Sequence, residues 1–317
     1  MLLPILFLLA GIAVLIVGAE LLVRGASSIA LRMGISTIVI GLTVVAFGTS
    51  APELVVNMLA AINGNTGIAI GNIVGSNLAN ILLILGIGAI IAPLKVKGGT
   101  TFKEIPFALL GILFVGILGN DIFFNGSSAD LLTRSDGIVF IAFFAIFMYY
   151  TYGLTKVKGD AEPVETYRLS TSWLMFFAGI GGLVYGGQLI VNNAITLASL
   201  AGLSESLIGL TIVAIGTSLP ELATTVVAVR KGNSDLAIGN AIGSNIFNVF
   251  WILGLTAIIS PLEFNAAINT DVIMTSVATL LLFAFMFIHK RYVLQRWQGV
   301  FFVVLYLSYL SMAIMRG

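Results

Sequence analysis

Apolar runs of 17 to 25 residues recur along the whole chain, interrupted by glycine-rich and charged turns. Runs of that length cross roughly 30 Å of hydrocarbon as helices. The pattern predicts ten spans, near 3 to 23, 36 to 62, 67 to 92, 105 to 119, 136 to 154, 173 to 200, 206 to 229, 235 to 260, 270 to 288 and 298 to 315. Residues 1 to 17 lack the basic start and small-residue cleavage site of a signal peptide, so they are read as part of the first span. The longest polar stretch, Lys156 to Thr171, is short and mixed in charge, too small for a separate domain.

Charge placement supports this count. With ten spans the connections alternate between two sides. One side receives Arg24, Arg32, Lys95, Lys97, Lys103, Lys156, Lys158, Arg168, Arg230, Lys231, Lys290, Arg291 and Arg296, and the other only Arg134 and Arg316. Thirteen of the fifteen basic residues on one side is a strong positive-inside signal. It predicts a multi-pass protein of the plasma (inner) membrane, both termini outside and the 156 to 171 loop cytoplasmic.

The polar residues inside the spans occur twice. Gly48-Thr49-Ser50-Ala51-Pro52-Glu53 returns as Gly216-Thr217-Ser218-Leu219-Pro220-Glu221. At the same offset of 168 residues, Gly71-Asn72-Ile73-Val74-Gly75-Ser76-Asn77-Leu78-Ala79-Asn80 returns as Gly239-Asn240-Ala241-Ile242-Gly243-Ser244-Asn245-Ile246-Phe247-Asn248. Residues 18 to 93 and 186 to 261 are identical at close to half their positions. The offset spans five crossings, an odd number, so the second copy enters from the opposite side. The expected fold is therefore an all-α polytopic membrane protein of ten helices in two inverted five-helix repeats, 1 to 155 and 172 to 317, with 156 to 171 as linker and broken helices at the midplane. In such architectures the binding site lies at the repeat interface. Duplication retained for packing alone would preserve apolar and small residues rather than Thr, Ser, Glu and Asn.

Pro52 lacks an amide hydrogen and its ring clashes with the Gly48 carbonyl, so the helix must break or kink there; Pro220 does the same to Gly216. Freed carbonyls at membrane depth must face protein or a wet cavity, which makes the oxygens of Ala46, Ala214, Gly48 and Gly216 candidate cation ligands. Thr49 and Ser50 lie four and three residues before Glu53, on one side of a helical path, and Thr217, Ser218 and Glu221 repeat the arrangement. Ser76 and Asn80 fall one turn apart, mirrored by Ser244 and Asn248. The set offers carboxylate, hydroxyl, amide and carbonyl oxygens without sulfur or imidazole. That suits a hard cation such as Ca2+, which takes 6 to 8 oxygens. Two ionised glutamates balance one Ca2+, and Na+ could occupy the same oxygens, so competition would couple opposite movements of the two ions.

Intramembrane Ser and Thr often only bond backbone carbonyls and Gly-rich spans often only pack. The duplicated glutamates tip the reading toward function, since an ionisable residue inside a span is a functional candidate by default. Asn72, Asn240, Asn77 and Asn245 read as supporting or helix-breaking residues rather than ligands. Glu20, whose counterpart is Gln188, is expected to snorkel or bond locally. His289 is expected to be solvated, and Trp173, Trp297 and Tyr292 to anchor at the interface.

At these two motifs the chain resembles the calcium/cation antiporter superfamily, most closely its prokaryotic sodium/calcium exchanger branch, over essentially its whole length. The resemblance implies ten helices, alternating access by sliding of the first and sixth helices, and Ca2+ and Na+ as transported ions with no cofactor. It implies a calcium site of Glu53, Glu221, Thr49 and Thr217, and sodium sites at Ser50, Ser218, Ser76, Ser244 and the carbonyls of Ala46 and Ala214. Asn80 and Asn248 would complete the polar centre. Some members carry aspartate where this chain has Asn248, and potassium dependence goes with that acid.

Three other classes compete. A proton/calcium antiporter of the same superfamily would exchange protons at the glutamates, but its motifs lack the paired Thr-Ser hydroxyls before proline. A passive cation channel could also use broken helices, though inverted symmetry about an acidic centre argues against it. An intramembrane enzyme lacks an evident nucleophile and base, with one histidine and no cysteine. Partners are the ions and the lipid bilayer, with no nucleic-acid signal, and the chain is read as a monomer. Mean hydropathy of +1.10 and 9% charged residues exclude a soluble domain.

Overall fold

The computed structural model describes residues 2–64, 66–156, 166–200 and 214–316. Most of the 156 to 171 linker and the start of the seventh predicted span, 206 to 213, lie outside the described residues. The chain runs through α1 (Leu2–Met33), α2 (Thr37–Thr49), α3 (Ala51–Ile62), α4 (Ala69–Ile91), α5 (Gly98–Gly119) and α6 (Arg134–Thr155). The second half repeats the order with α7 (Leu169–Leu200), α8 (Ala214–Thr217), α9 (Leu219–Arg230), α10 (Ser234–Ile259), α11 (Ile268–Phe285) and α12 (Arg296–Arg316). Among the described residues, eight helices are long and apolar enough to cross a bilayer, and the bent α2–α3 pair makes a ninth.

The first helix of each half, α1 and α7, run antiparallel where they meet. α1 and α7 cross along their length at glycines: a Cβ on Gly11 would meet the Gly186 carbonyl at 3.0 Å, one on Gly18 the Leu183 amide nitrogen at 2.7 Å, and one on Gly25 the Phe176 amide nitrogen at 2.7 Å. Positions rising along α1 meet positions falling along α7. Seven-residue spacing keeps these glycines on one face, and their lack of a side chain lets the backbones touch.

The motif-bearing helices form the centre. α4 and α10 are 78% buried inside the protein, whereas α6 and α12 are 22% buried and present aliphatic and aromatic side chains outward. Gly239 and Gly243 of α10 pack on α2, where a Cβ would meet the carbonyls of Ile38 and Leu42 at 2.8 and 2.7 Å. π-helical turns interrupt α2 at Gly41–Val45, α4 at Asn80–Ile84 and α10 at Phe247–Leu253. Each inserts a residue into the helical ladder and turns the side chains beyond it, a deviation frequent at functional sites.

The fold is helical as expected, with two short ribbons added. Four two-residue strands, β1 (Leu94–Lys95), β2 (Leu131–Leu132), β3 (Leu262–Glu263) and β4 (Val293–Leu294), pair antiparallel as β1 with β4 and β2 with β3. Each ribbon joins one half to the other, and Leu94, Leu132, Leu262 and Leu294 are buried beneath them. The first span is also longer than predicted. α1 continues past Val23 to Met33 because its polar face, including Ser28, finds partners in the segment entering α7: Ser28 Oγ lies 2.8 Å from Ser172 Oγ and accepts from the Tyr167 amide at 2.9 Å.

Candidate functional site

Both proline motifs break their helices at the same residue. Ser50 has φ −83°, ψ 10° and Ser218 φ −87°, ψ 4°, and α3 and α9 restart with proline in the first turn and run for 12 residues each. The α2–α3 bend is 46°. Each break places its glutamate in the first turn of the new helix, where exposed amide groups favour negative charge. Glu53 and Glu221 are both about 1% exposed and face each other closely enough for their charges to repel.

Hydroxyls from both halves surround the carboxylates. Ser50 Oγ donates to Glu221 Oε1 at 3.0 Å, crossing between halves, and Ser244 Oγ donates to the same oxygen at 3.3 Å. Ser76 Oγ donates to Glu53 Oε1 at 3.5 Å. Thr217 stands within hydrogen-bonding reach of Glu53, as Thr49 does of Glu221. Thr49 has one proton and several acceptors: Asn240 Oδ1 at 2.9 Å, the Ala46 carbonyl at 3.3 Å and Ser244 Oγ at 3.4 Å. Its shortest contact directs the proton to Asn240 and leaves its lone pairs for the centre.

Following Ser76 and Ser244 along α4 and α10, four asparagines form a quartet. Asn77 Nδ2 donates to the Asn245 carbonyl and Asn245 Nδ2 to the Asn77 carbonyl, both at 3.2 Å. Asn80 Nδ2 donates to Asn245 Oδ1 at 2.9 Å, and Asn248 Nδ2 to Asn77 Oδ1 at 3.0 Å. Such reciprocity is what a two-fold relation demands.

Five buried oxygens here have no hydrogen-bond partner among the described residues: Glu53 Oε2, Glu221 Oε2, Ser218 Oγ, Asn80 Oδ1 and Asn248 Oδ1. Each such atom costs about 1–3 kcal/mol, more when charged. No lysine, arginine or histidine pairs with either carboxylate among the described residues. The chemistry of this donor set, two carboxylates with hydroxyl and amide oxygens, fits a hard cation and no soft one.

The predicted residues thus converge. Glu53, Glu221, Thr49, Thr217, Ser50, Ser76 and Ser244 are linked in one buried cluster, Asn80 and Asn248 belong to the adjoining asparagine quartet, and Ser218 marks the second break. The Ala46 carbonyl is not freed by the proline; it accepts from Ser50 N at 3.0 Å, because the amide that Pro52 lacks would have met Gly48 instead. Ala214 opens α8, and there Ser218 N donates instead to the Ile215 carbonyl at 3.2 Å. Asn72 and Asn240 support the site as expected: Asn72 Nδ2 donates to Asn57 Oδ1 at 3.4 Å, and Asn240 Nδ2 to Thr225 Oγ1 at 3.2 Å and the Glu221 carbonyl at 3.2 Å. Sequence reading missed Asn57, Thr224 and Thr225, all fully buried. Their positions three and four residues after the glutamates were the available signal.

Glu20 does more than bond locally. Its Oε1 is 2.7 Å from Arg24 Nε on the same helix and 2.7 Å from Lys231 Nζ at the end of α9. The pair ties α1 to the helix carrying Glu221. His289 is exposed, as expected, and Trp297 is half-exposed.

Comparison with known proteins gives the same picture. The sodium/calcium exchanger protein family matches residues 3–153 and 171–315. The putative antiporter CaxA of Alkalimonas amylolytica is 38% identical, over 98% of each chain. The sodium/calcium exchanger MaX1 of Methanosarcina acetivorans is 34% identical, over 96% of this chain and 97% of its own. Solved structures of the sodium-calcium exchanger NCX_Mj superpose with a TM-score of 0.85 at 31% identity, over 98% of each chain. A match running through both copies of the repeat, with relatives this similar over nearly full length, makes the chain a member of the sodium/calcium exchanger protein family.

Proposed function

We propose that the chain is a secondary active antiporter that exchanges Na+ for Ca2+ by alternating access, with both ions competing for the centre between Glu53 and Glu221. The observation that carries this reading is the pair of buried carboxylates, one from each half, flanked by partnerless oxygens and lacking a basic partner. A buried, unpaired charge costs several kcal/mol, so the site is stable only with compensating positive charge. One Ca2+ supplies it, and so do two Na+.

The same penalty couples the fluxes. An ion-free centre holding two like charges in a low-dielectric interior resists reorientation, so one cargo leaves only when the other replaces it. Thr49, Thr217, Ser50, Ser218, Ser76 and Ser244 supply neutral oxygens, and Asn80 and Asn248 close the set, with the carbonyls of Ala46 and Ala214 at the breaks. The termini lie outside and the 156 to 171 loop in the cytoplasm, following the basic residues.

The test is Ca2+ uptake into proteoliposomes holding the full chain. Uptake is expected with an outward Na+ gradient and not with a pH gradient at fixed Na+. Uptake driven by the pH gradient alone would replace this reading with proton exchange, and Ca2+ currents without counter-ion would replace it with a channel.

A further inference from the structure

The asparagine quartet carries a consequence for which atoms the cation meets. A side-chain amide can present either its oxygen or its NH2 group to a site, and only hydrogen-bond partners decide which. Here two backbone carbonyls decide, because a carbonyl can only accept. The Asn245 carbonyl requires Asn77 to turn its Nδ2 toward it, and the Asn77 carbonyl requires the same of Asn245. Asn77 Oδ1 and Asn245 Oδ1 must then be acceptors. Their neighbours, Asn248 at 3.0 Å and Asn80 at 2.9 Å, can meet them only with Nδ2. The remaining atoms, Asn248 Oδ1 and Asn80 Oδ1, are left buried and without a partner.

We infer that Asn77 and Asn245 are positioning residues that lock the amides of Asn248 and Asn80 with oxygen, not NH2, toward the transported cation. The inference rests on the reading of this centre as the ion site. The lock crosses the interface, since Asn77 of α4 orients Asn248 of α10 and Asn245 orients Asn80. Each half therefore sets a ligand in the other, and an amide free to flip would present partial positive charge to the cation in one of its two orientations. All four residues are at most 2% exposed.

The inference is tested by Na+-driven Ca2+ uptake in proteoliposomes, with the amount of folded protein measured for every variant. Asn77→Ala is expected to raise the apparent KM for Ca2+ roughly tenfold with a smaller change in maximal rate. Asn248→Ala is expected to raise it as well, and Asn77→Ala added to Asn248→Ala is expected to add little, because the first residue acts through the second. Asn245→Ala and Asn80→Ala form the mirror-image cycle. A structural role in helix packing would lower the folded yield or rate while leaving KM unchanged, or would give additive effects, and either result overturns the inference. Loss of folded protein in both Asn77→Ala and Asn245→Ala, and again in the milder Asn77→Ser and Asn245→Ser, would likewise mark these residues as structural and overturn it. Glu53→Gln and Glu221→Gln serve as controls: if they leave the KM for Ca2+ intact, the ion-site reading itself has failed. If they abolish uptake while the asparagine cycles are additive, only the positioning role has failed.

Discussion

Asn77 and Asn245 hold one another by matching bonds, each side-chain amide donating to the other's backbone carbonyl at 3.2 Å. They are 168 residues apart in the chain, the spacing of the repeat itself. The contact therefore lies on the axis relating the two halves, directly between the helices that carry Ser76 and Ser244. The two breaks differ in detail, since Ser50 Oγ donates to Glu221 while Ser218 Oγ has no partner among the described residues.

Neutralising either central acid should remove exchange while leaving the fold intact. Glu53→Gln and Glu221→Gln are expected to lower Na+-driven Ca2+ uptake by about a hundredfold or more, as befits loss of an ionised ligand worth about 3 kcal/mol. In the native protein Ca2+ should raise the melting temperature through preferential binding to the folded state. Thermal melts in Ca2+ and in chelator check both parts, and the calcium-dependent rise should vanish in the variants. A full rise in the double variant would sink the shared-site mechanism.

Restoring continuity at a break should weaken binding without unfolding the chain. Pro52→Ala permits the bond to the Gly48 carbonyl that proline forbids, which straightens the 46° bend and swings Glu53 away from Glu221. Calcium affinity is expected to fall about tenfold, on the scale of one lost charged contact. Calorimetric Ca2+ titration of the purified variant measures it.

The link between Glu20 and Lys231 should affect rate more than stability. Both side chains are about a third exposed, at 35% and 33%, so the pair contributes at most about 1 kcal/mol after solvent screening. Glu20→Gln is expected to speed exchange a few-fold by loosening α1 from α9. Lys231→Gln, which breaks the same contact and leaves Glu20 with Arg24, should speed exchange to a similar degree, and initial uptake rates under matched gradients provide the comparison.

Potassium should be irrelevant. Asn80 and Asn248 are both neutral, so among the described residues no third carboxylate joins Glu53 and Glu221 to recruit another monovalent cation. Ca2+ uptake driven by Na+ is expected to be the same with potassium or choline as the balancing ion. A several-fold stimulation by potassium would contradict the ligand set.

Much of this was legible from the sequence because the repeat wrote its polar residues twice. Pro52 and Pro220 marked the breaks, Glu53 and Glu221 the acids, and the odd number of crossings the inversion that the antiparallel α1–α7 contact now reflects. What escaped depends on partners far apart in the chain. Lys231 lies beside Glu20 only after folding, and the β1–β4 and β2–β3 ribbons need strands of two residues that carry no periodicity. Which atom of each asparagine amide faces the centre was also out of reach, because it is decided by backbone carbonyls across the interface. The Ala46 carbonyl was expected to be free but is engaged, since the amide missing at Pro52 would have met Gly48 and the Ser50 amide still bonds Ala46.

The glycine contact between α1 and α7 makes the two helices a single beam. Their backbones touch at several heights, with a Cβ on Gly179 reaching the Leu22 amide nitrogen at 2.5 Å and one on Gly186 the Leu15 amide nitrogen at 2.7 Å, so neither can shift far alone. A methyl group at Gly18 or Gly179 would therefore have to push the two backbones apart.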